Sequence, residues 1–183
     1  PEAFYDAGGE PLARPGFDAV IGNPPWEMLR GRRPGADASG LAAFARASGV
    51  YALQGDGHAN LFQLFLERTL RLVREGGRYG LVLPSGLASD HGCAALRRHL
   101  LDRTALDTFV SLENRDGLFP IHRALRFLLL AGTAGGTTAA VPCRSGVRAP
   151  DVLDRLPGAG SDAGARHEEG LARPVSVSLA SRM

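Results

Sequence analysis

The feature that most narrows the folds open to this chain is the alternation of apolar spacing between helical and strand-like periods. From Asn60 onward Leu61, Leu64, Phe65, Leu66, Leu70, Leu72 and Val73 recur at helical spacing, and Gly76-Gly77 predicts the stop. Arg78–Leu83 reads as a strand broken at Pro84-Ser85-Gly86, and Asp90–Asp102 as a second amphipathic helix carrying Ala94, Leu96, Leu100 and Leu101. Leu106–Leu112 is a third strand, counting the apolar run Phe17–Ile21 as the first, and Ala124–Ala131 a fourth after the polar loop Glu113–His122. Strands and helices in alternation predict an α/β fold, a parallel sheet covered by helices. The last strand is expected antiparallel, because a parallel return needs a crossover of about a dozen residues or more. The loops that begin at Gly22, Pro84 and Glu113 then all leave the carboxyl edge of the sheet, where open α/β sheets bind ligands.

Outside this frame the signal is weaker. Glu27–Gly57 is rich in Arg, Gly, Ala and Ser and reads as a long loop with a weak helix near Gly40–Ala47. Beyond Gly132 the reading is a short strand at Ala139–Cys143, a helix at Asp151–Leu156 and a linker over Gly158–Arg173. With 44% hydrophobic and 22% charged residues the chain can bury one sizeable core. Its longest apolar run, Phe127–Ala131, falls far short of the roughly 20 residues that span a bilayer, so a cytoplasmic protein without membrane contact is expected. Cys93 and Cys143 lack paired spacing and read as reduced structural thiols; His58, His91, His99 and His167 show no metal-ligand spacing, and no metal is expected.

The net charge of +2 does not announce a nucleic-acid binder, but all 21 basic residues are Arg. Guanidinium forks suit phosphates and base edges, and a GC-rich genome explains the bias equally well. The lack of Lys excludes a nuclease site of the two-acid-plus-lysine type from this segment.

Asn23-Pro24-Pro25-Trp26 is the most informative tetrapeptide. A strand cannot continue through it, and prolines lack an N–H, so the carbonyls ahead of Pro24 and Pro25 stand without competing donors and are held stiffly in direction. The Asn23 side chain adds an oxygen beside them. Two acceptors beside a flat aromatic face make a cradle for a planar amine such as the exocyclic NH2 of a purine. Accepting both amino hydrogens would draw the nitrogen lone pair out of conjugation and make it a better nucleophile. Trp26 would stack on the base, a contact worth roughly 1–3 kcal/mol.

Phe17–Trp26 resembles motif IV of the amino-methyltransferases, and Gly22 ahead of the NPPW motif looks like the Eco57I-like restriction-modification adenine methylases. The likeness runs in register over Phe17–Ala131. Asn60–Leu66 is similar to motif V, where the resemblance implies that Phe65 lies against the adenine of S-adenosylmethionine. Gly117-Leu118-Phe119-Pro120 looks like motif VIII, which implies that Phe119 stacks on a flipped target adenine. The resemblance therefore implies the C-terminal half of a Rossmann-like class I S-adenosylmethionine-dependent methyltransferase fold, parallel strands plus one antiparallel hairpin strand. Residues 1–145 would be a partial catalytic domain, and 146–183 a linker or the start of a following region. It implies catalytic roles for Asn23, Pro24, Pro25 and Trp26, and cofactor contacts for Phe65 and Asn23. The implied partners are double-stranded DNA and a restriction endonuclease domain or subunit. Arg30, Arg32 and Arg33 are candidates for DNA contact or ordinary surface charges, and Arg115, Asn114 and His122 for DNA contact or loop capping.

The chain departs from the pattern at its start. The Gly-rich loop and the acidic residue that hold most of the cofactor in such enzymes do not precede Phe17. Truncation is the better account, and the chain alone is expected neither to bind S-adenosylmethionine tightly nor to methylate DNA. Two other readings stay open: an N-methyltransferase acting on RNA or on protein glutamine, and a non-catalytic DNA-binding remnant.

Overall fold

The computed structural model describes residues 1–29, 38–55, 60–149, 151, 153 and 175–178. Arg30, Arg32, Arg33, His58, His167 and the linker read at 158–173 lie outside the described residues.

Six strands form one sheet in the order β1-β2-β4-β3-β5-β6. They are β1 (Phe17–Gly22), β2 (Val73–Pro84), β3 (Thr104–Glu113), β4 (Arg126–Ala134), β5 (Ala140–Val147) and β6 (Val175–Ser178). β1 pairs parallel with β2 and β3 parallel with β5, while β4 runs antiparallel between β2 and β3. Two antiparallel steps across β4 leave β2 and β3 pointing the same way. The ends of β1, β2 and β3 therefore share one edge, as the sequence predicts. Within the stretch 146–183, Val175–Ser178 adds the sixth strand, antiparallel to β5.

The helices are α1 (Ala38–Ala47), α2 (Leu61–Leu72), α3 (Gly86–Ser89) and α4 (Ala94–Arg103). Asn60 caps α2 through a capping box: its side chain accepts from Phe62 N–H at 3.3 Å, and its own N–H donates to the Gln63 side chain at 3.0 Å. α2 buries Phe62, Leu64 and Leu66, and α4 buries Leu96 and Leu100. Phe62, Leu66, Leu96 and Leu100 join the main core with Tyr79, Leu81 and Leu83 of β2 and Leu128 and Leu130 of β4, while Leu64 packs with Leu29 and Ala45. Burying each such Leu is worth roughly 1.5–3 kcal/mol. Burial also pushes the Cys93 thiol up, with Gln63 Nε2 donating to its sulfur at 3.0 Å; neither Cys93 nor Cys143 is in a disulfide.

The predicted stop of α2 at Gly76-Gly77 is displaced. The helix ends at Leu72, and the glycines sit inside β2. Phe17 pairs with Val73 and Ala19 with Arg78, so β2 loops out between these rungs. Gly76 takes φ +75°, and a Cβ on Gly77 would stand 2.7 Å from Val73 Cγ1 and 2.9 Å from the Phe17 carbonyl oxygen. The glycines serve the bulge, not the helix terminus. The second predicted helix, Asp90–Asp102, begins as a 3-10 turn at His91–Cys93 and continues as α4, while the short α3 precedes it.

Candidate catalytic rim

The NPPW loop leaves β1 at the carboxyl edge. Asn23 and Pro25 are exposed, Pro24 is buried and Trp26 half-buried. The loop is tied to the start of α2: Asn60 Nδ2 donates to the Trp26 carbonyl at 3.4 Å, and Leu61 N–H to the Glu27 carbonyl at 2.8 Å. One residue thus caps the helix and anchors the motif. The Asn-x-x-Gln spacing at 60–63 carried that signal in the sequence.

The other side of the rim is the loop between β3 and β4. Its organiser is Asn114, which is fully buried. Its Oδ1 accepts from Phe119 N–H at 2.9 Å, and its Nδ2 donates to the carbonyls of Phe119, Ile121 and His122 at 3.1, 3.0 and 3.4 Å. Of the two readings open for Asn114, the geometry selects loop capping. Gly117 turns the loop with φ +76°, and Phe119 is left 42% exposed.

Trp26 and Phe119 meet on a common neighbour. Phe127, the first apolar residue of β4, is fully buried, and it lies beside both loops because it pairs with Pro84 on one side and Leu112 on the other. The Phe119 ring stands edge-on to it at 5.0 Å between centroids, and the Trp26 ring lies tilted over it at 6.3 Å. Nothing in the sequence distinguishes Phe127 from any other strand aromatic. Trp26 Nε1 is buried without a hydrogen-bond partner among the described residues.

Phe65 departs from the rule that an aromatic at helical spacing is core: it is 50% exposed, while Phe62, Leu64 and Leu66 beside it are buried. Arg115 lies on the same loop as Phe119, in an ion pair with Glu113. No cluster of His, Cys, Asp and Glu that could hold a metal occurs among the described residues. None of their helices is long and apolar enough to cross a membrane.

The Eco57I restriction-modification methylase family model matches residues 2–119. The chain belongs to that family. Among solved structures it is similar to a modification subunit of a putative type I restriction enzyme from Vibrio vulnificus, at 23% identity and TM-score 0.51, covering 70% of this chain and 25% of that one. It is also similar to the type I restriction enzyme EcoKI M protein, at 20% identity and TM-score 0.51 over 73% and 26% of the two chains. A putative class I S-adenosylmethionine-dependent methyltransferase from Listeria monocytogenes aligns at 17% identity and TM-score 0.52, covering 79% and 42%. These likenesses establish the class I methyltransferase fold, and the chain spans about a quarter of the length of the two modification subunits. No curated protein matches the chain.

Proposed function

We propose that this family member is the target-base half of the catalytic site of a DNA adenine-N6 methyltransferase in a restriction-modification or phage-defence system. The observation that carries the reading is the shared support of Trp26 and Phe119 on Phe127, at the edge where Asn23 leaves β1. Two aromatic rings and a stiff pair of carbonyls at one rim suit a flat heterocycle bearing an amino group.

On this reading an adenine is turned out of the duplex and held by Phe119 and Trp26. The Asn23 side-chain oxygen and the Pro24 carbonyl accept the two N6 hydrogens, and Pro24 and Pro25 keep the acceptors from turning away. The nitrogen lone pair, no longer shared with the ring, would then be free to take up a methyl group, and the surplus N6 proton would pass to solvent. S-adenosylmethionine, when bound, supplies the electrophilic methyl group. The residues present suit a share of that cofactor's site: Phe65 offers an open ring beside the buried Leu64 and Leu66, and Asn23 is exposed at the rim. Arg115 would meet the DNA, which lies in the cytoplasm with a nuclease domain or subunit as partner.

The test is N6-methyladenine formation by the full-length protein and by its Asn23→Ala variant, with cofactor affinity measured in parallel. Transfer should vanish while cofactor affinity stays nearly unchanged. Retention of most activity would remove the catalytic assignment.

A further inference from the structure

Elsewhere in the described residues, where an arginine forms an ion pair it has its own acid: Arg71 with Glu67, Arg74 with Asp18, Arg78 with Asp107. Around Glu113 the ratio reverses. Its Oε2 meets Arg115 Nε at 3.2 Å and Arg148 Nε at 3.3 Å, and its Oε1 meets Arg126 Nη2 at 3.4 Å. A fourth guanidinium joins them, for Arg123 Nη1 donates to the Arg115 carbonyl at 2.9 Å and lies so close to Gly117 that a Cβ there would come within 3.2 Å of it. Three guanidiniums thus meet one carboxylate, and the fourth stands beside the Arg115 backbone. The three partners of Glu113 are each more than half exposed. Arg115 and Arg148 reach it through Nε, so their Nη ends are not consumed by the carboxylate. Arg115, Arg123 and Arg126 border an open groove of about 490 Å³ that Glu113 and His122 also line, while Arg148 sits behind it on Glu113.

One carboxylate here does not neutralise its surroundings; it gathers positive charge into a small volume. The surplus calls for an anion, and guanidinium forks suit phosphate oxygens. The groove's place names the anion's source. Phe119 lies on the same loop, between Arg115 and Arg123. A base stacked on Phe119 brings with it the phosphates on either side of its own sugar, within about a nucleotide's reach. A DNA backbone thus supplies a phosphodiester where the guanidiniums converge, whereas a free small anion would gain no such positioning.

We propose that this groove seats a backbone phosphodiester of the strand whose base Phe119 receives, with Arg115, Arg123 and Arg126 as its donors. The inference rests on the DNA reading above and adds the phosphate contact to it. Glu113 is a positioning residue that holds two of the three donors, Arg115 and Arg126.

The experiment is duplex-DNA binding by the full-length protein over a salt series, comparing wild type with Arg123→Gln/Arg126→Gln and with Arg123→Lys/Arg126→Lys. Loss of one phosphate contact should make the slope of log K against log salt shallower by about one and lower affinity roughly tenfold near physiological salt. The double Lys variant, which keeps the charge, should retain most of both. Circular dichroism checks that each variant is folded; exposed ion pairs contribute little stability. Unchanged slope and affinity in a folded Gln variant would overturn the proposal, as would a wild type whose duplex binding does not depend on salt. Full competition by inorganic phosphate at matched ionic strength, with no effect of the Gln variant on the duplex, would assign the groove to a free anion and also overturn it. Asn23→Ala separates the two readings: full methylation by that variant sinks the catalytic assignment, while the slope change in the Gln variant still supports the phosphate seat.

Discussion

The two loops that meet on Phe127 are stiffened by opposite means. Asn23–Trp26 carries its rigidity in its own covalent structure: two consecutive prolines fix the backbone, and a single side chain, Asn60, ties it to α2. The loop from Asn114 to Leu125 has one proline, Pro120, and is held mainly by a buried amide that reaches back from the end of β3 to four backbone groups. The first loop can therefore be recognised in the sequence and tolerates changes at a distance. The second depends on an interaction that exists only once β3 and β4 are paired, so its geometry should fail when a residue far from the chemistry is changed.

The sharpest way to break this comparison is Asn23→Ala, which leaves the prolines and removes one acceptor. Methyl transfer by the full-length protein should fall by at least about 10²-fold, the usual cost of losing a positioned polar group at a reacting centre, with the thermal midpoint nearly unchanged. Asn114→Ala should do the reverse. The Phe119 N–H and the Ile121 carbonyl lose their partner, the Phe119 and His122 carbonyls keep one backbone donor each, and stability should drop by roughly 2 kcal/mol in urea unfolding. Proteolysis should then begin within 114–125. An Asn114→Ala protein as stable and as resistant as wild type would show that the loop is held by something else.

Phe119→Ala should leave stability nearly intact because the ring is partly exposed, and should weaken transfer about tenfold, within the range expected for loss of one base stack. Phe119→Tyr should keep most of the rate. The smallest expected effect is the coupling between the loops. Trp26→Leu and Phe119→Leu, combined and measured by unfolding, should be non-additive by about 0.5 kcal/mol, because both rings rest on Phe127. Strict additivity would mean that the two loops share a rim without sharing support.

A second contrast lies along the sheet. Leu128 and Leu130 of the central strand β4 are buried, whereas at the outer strand β1 Ile21 is 90% exposed and Phe17 is also open. The run Phe17–Ile21 takes the place in the sheet that its sequence predicts, with its apolar flank open. Apolar side chains report that a strand seeks cover, but whether neighbouring chain supplies it is a property of the fold around it.

Much of the frame was legible because its signals are local. Spacing located the helical signal of α2 and the central strands, proline ended β1 at the motif, and the short return to β4 dictated the antiparallel step. The α2–β2 boundary was misplaced because two glycines fit a helix terminus and a strand bulge equally well, and only the register between Phe17 and Ala19 tells them apart.

The sequence by itself determined the alternation of elements, the common edge from which the loops emerge, and the stiff acceptor-bearing turn at Asn23–Pro25, since each follows from backbone chemistry within a few residues. Only the tertiary structure decided that Phe127 supports both aromatic rings, that Asn114 clamps the opposite loop, and that Glu113 gathers Arg115, Arg126 and Arg148. Those contacts join residues on different strands and loops, and no periodicity along the chain encodes which side chains a sheet brings to the same corner.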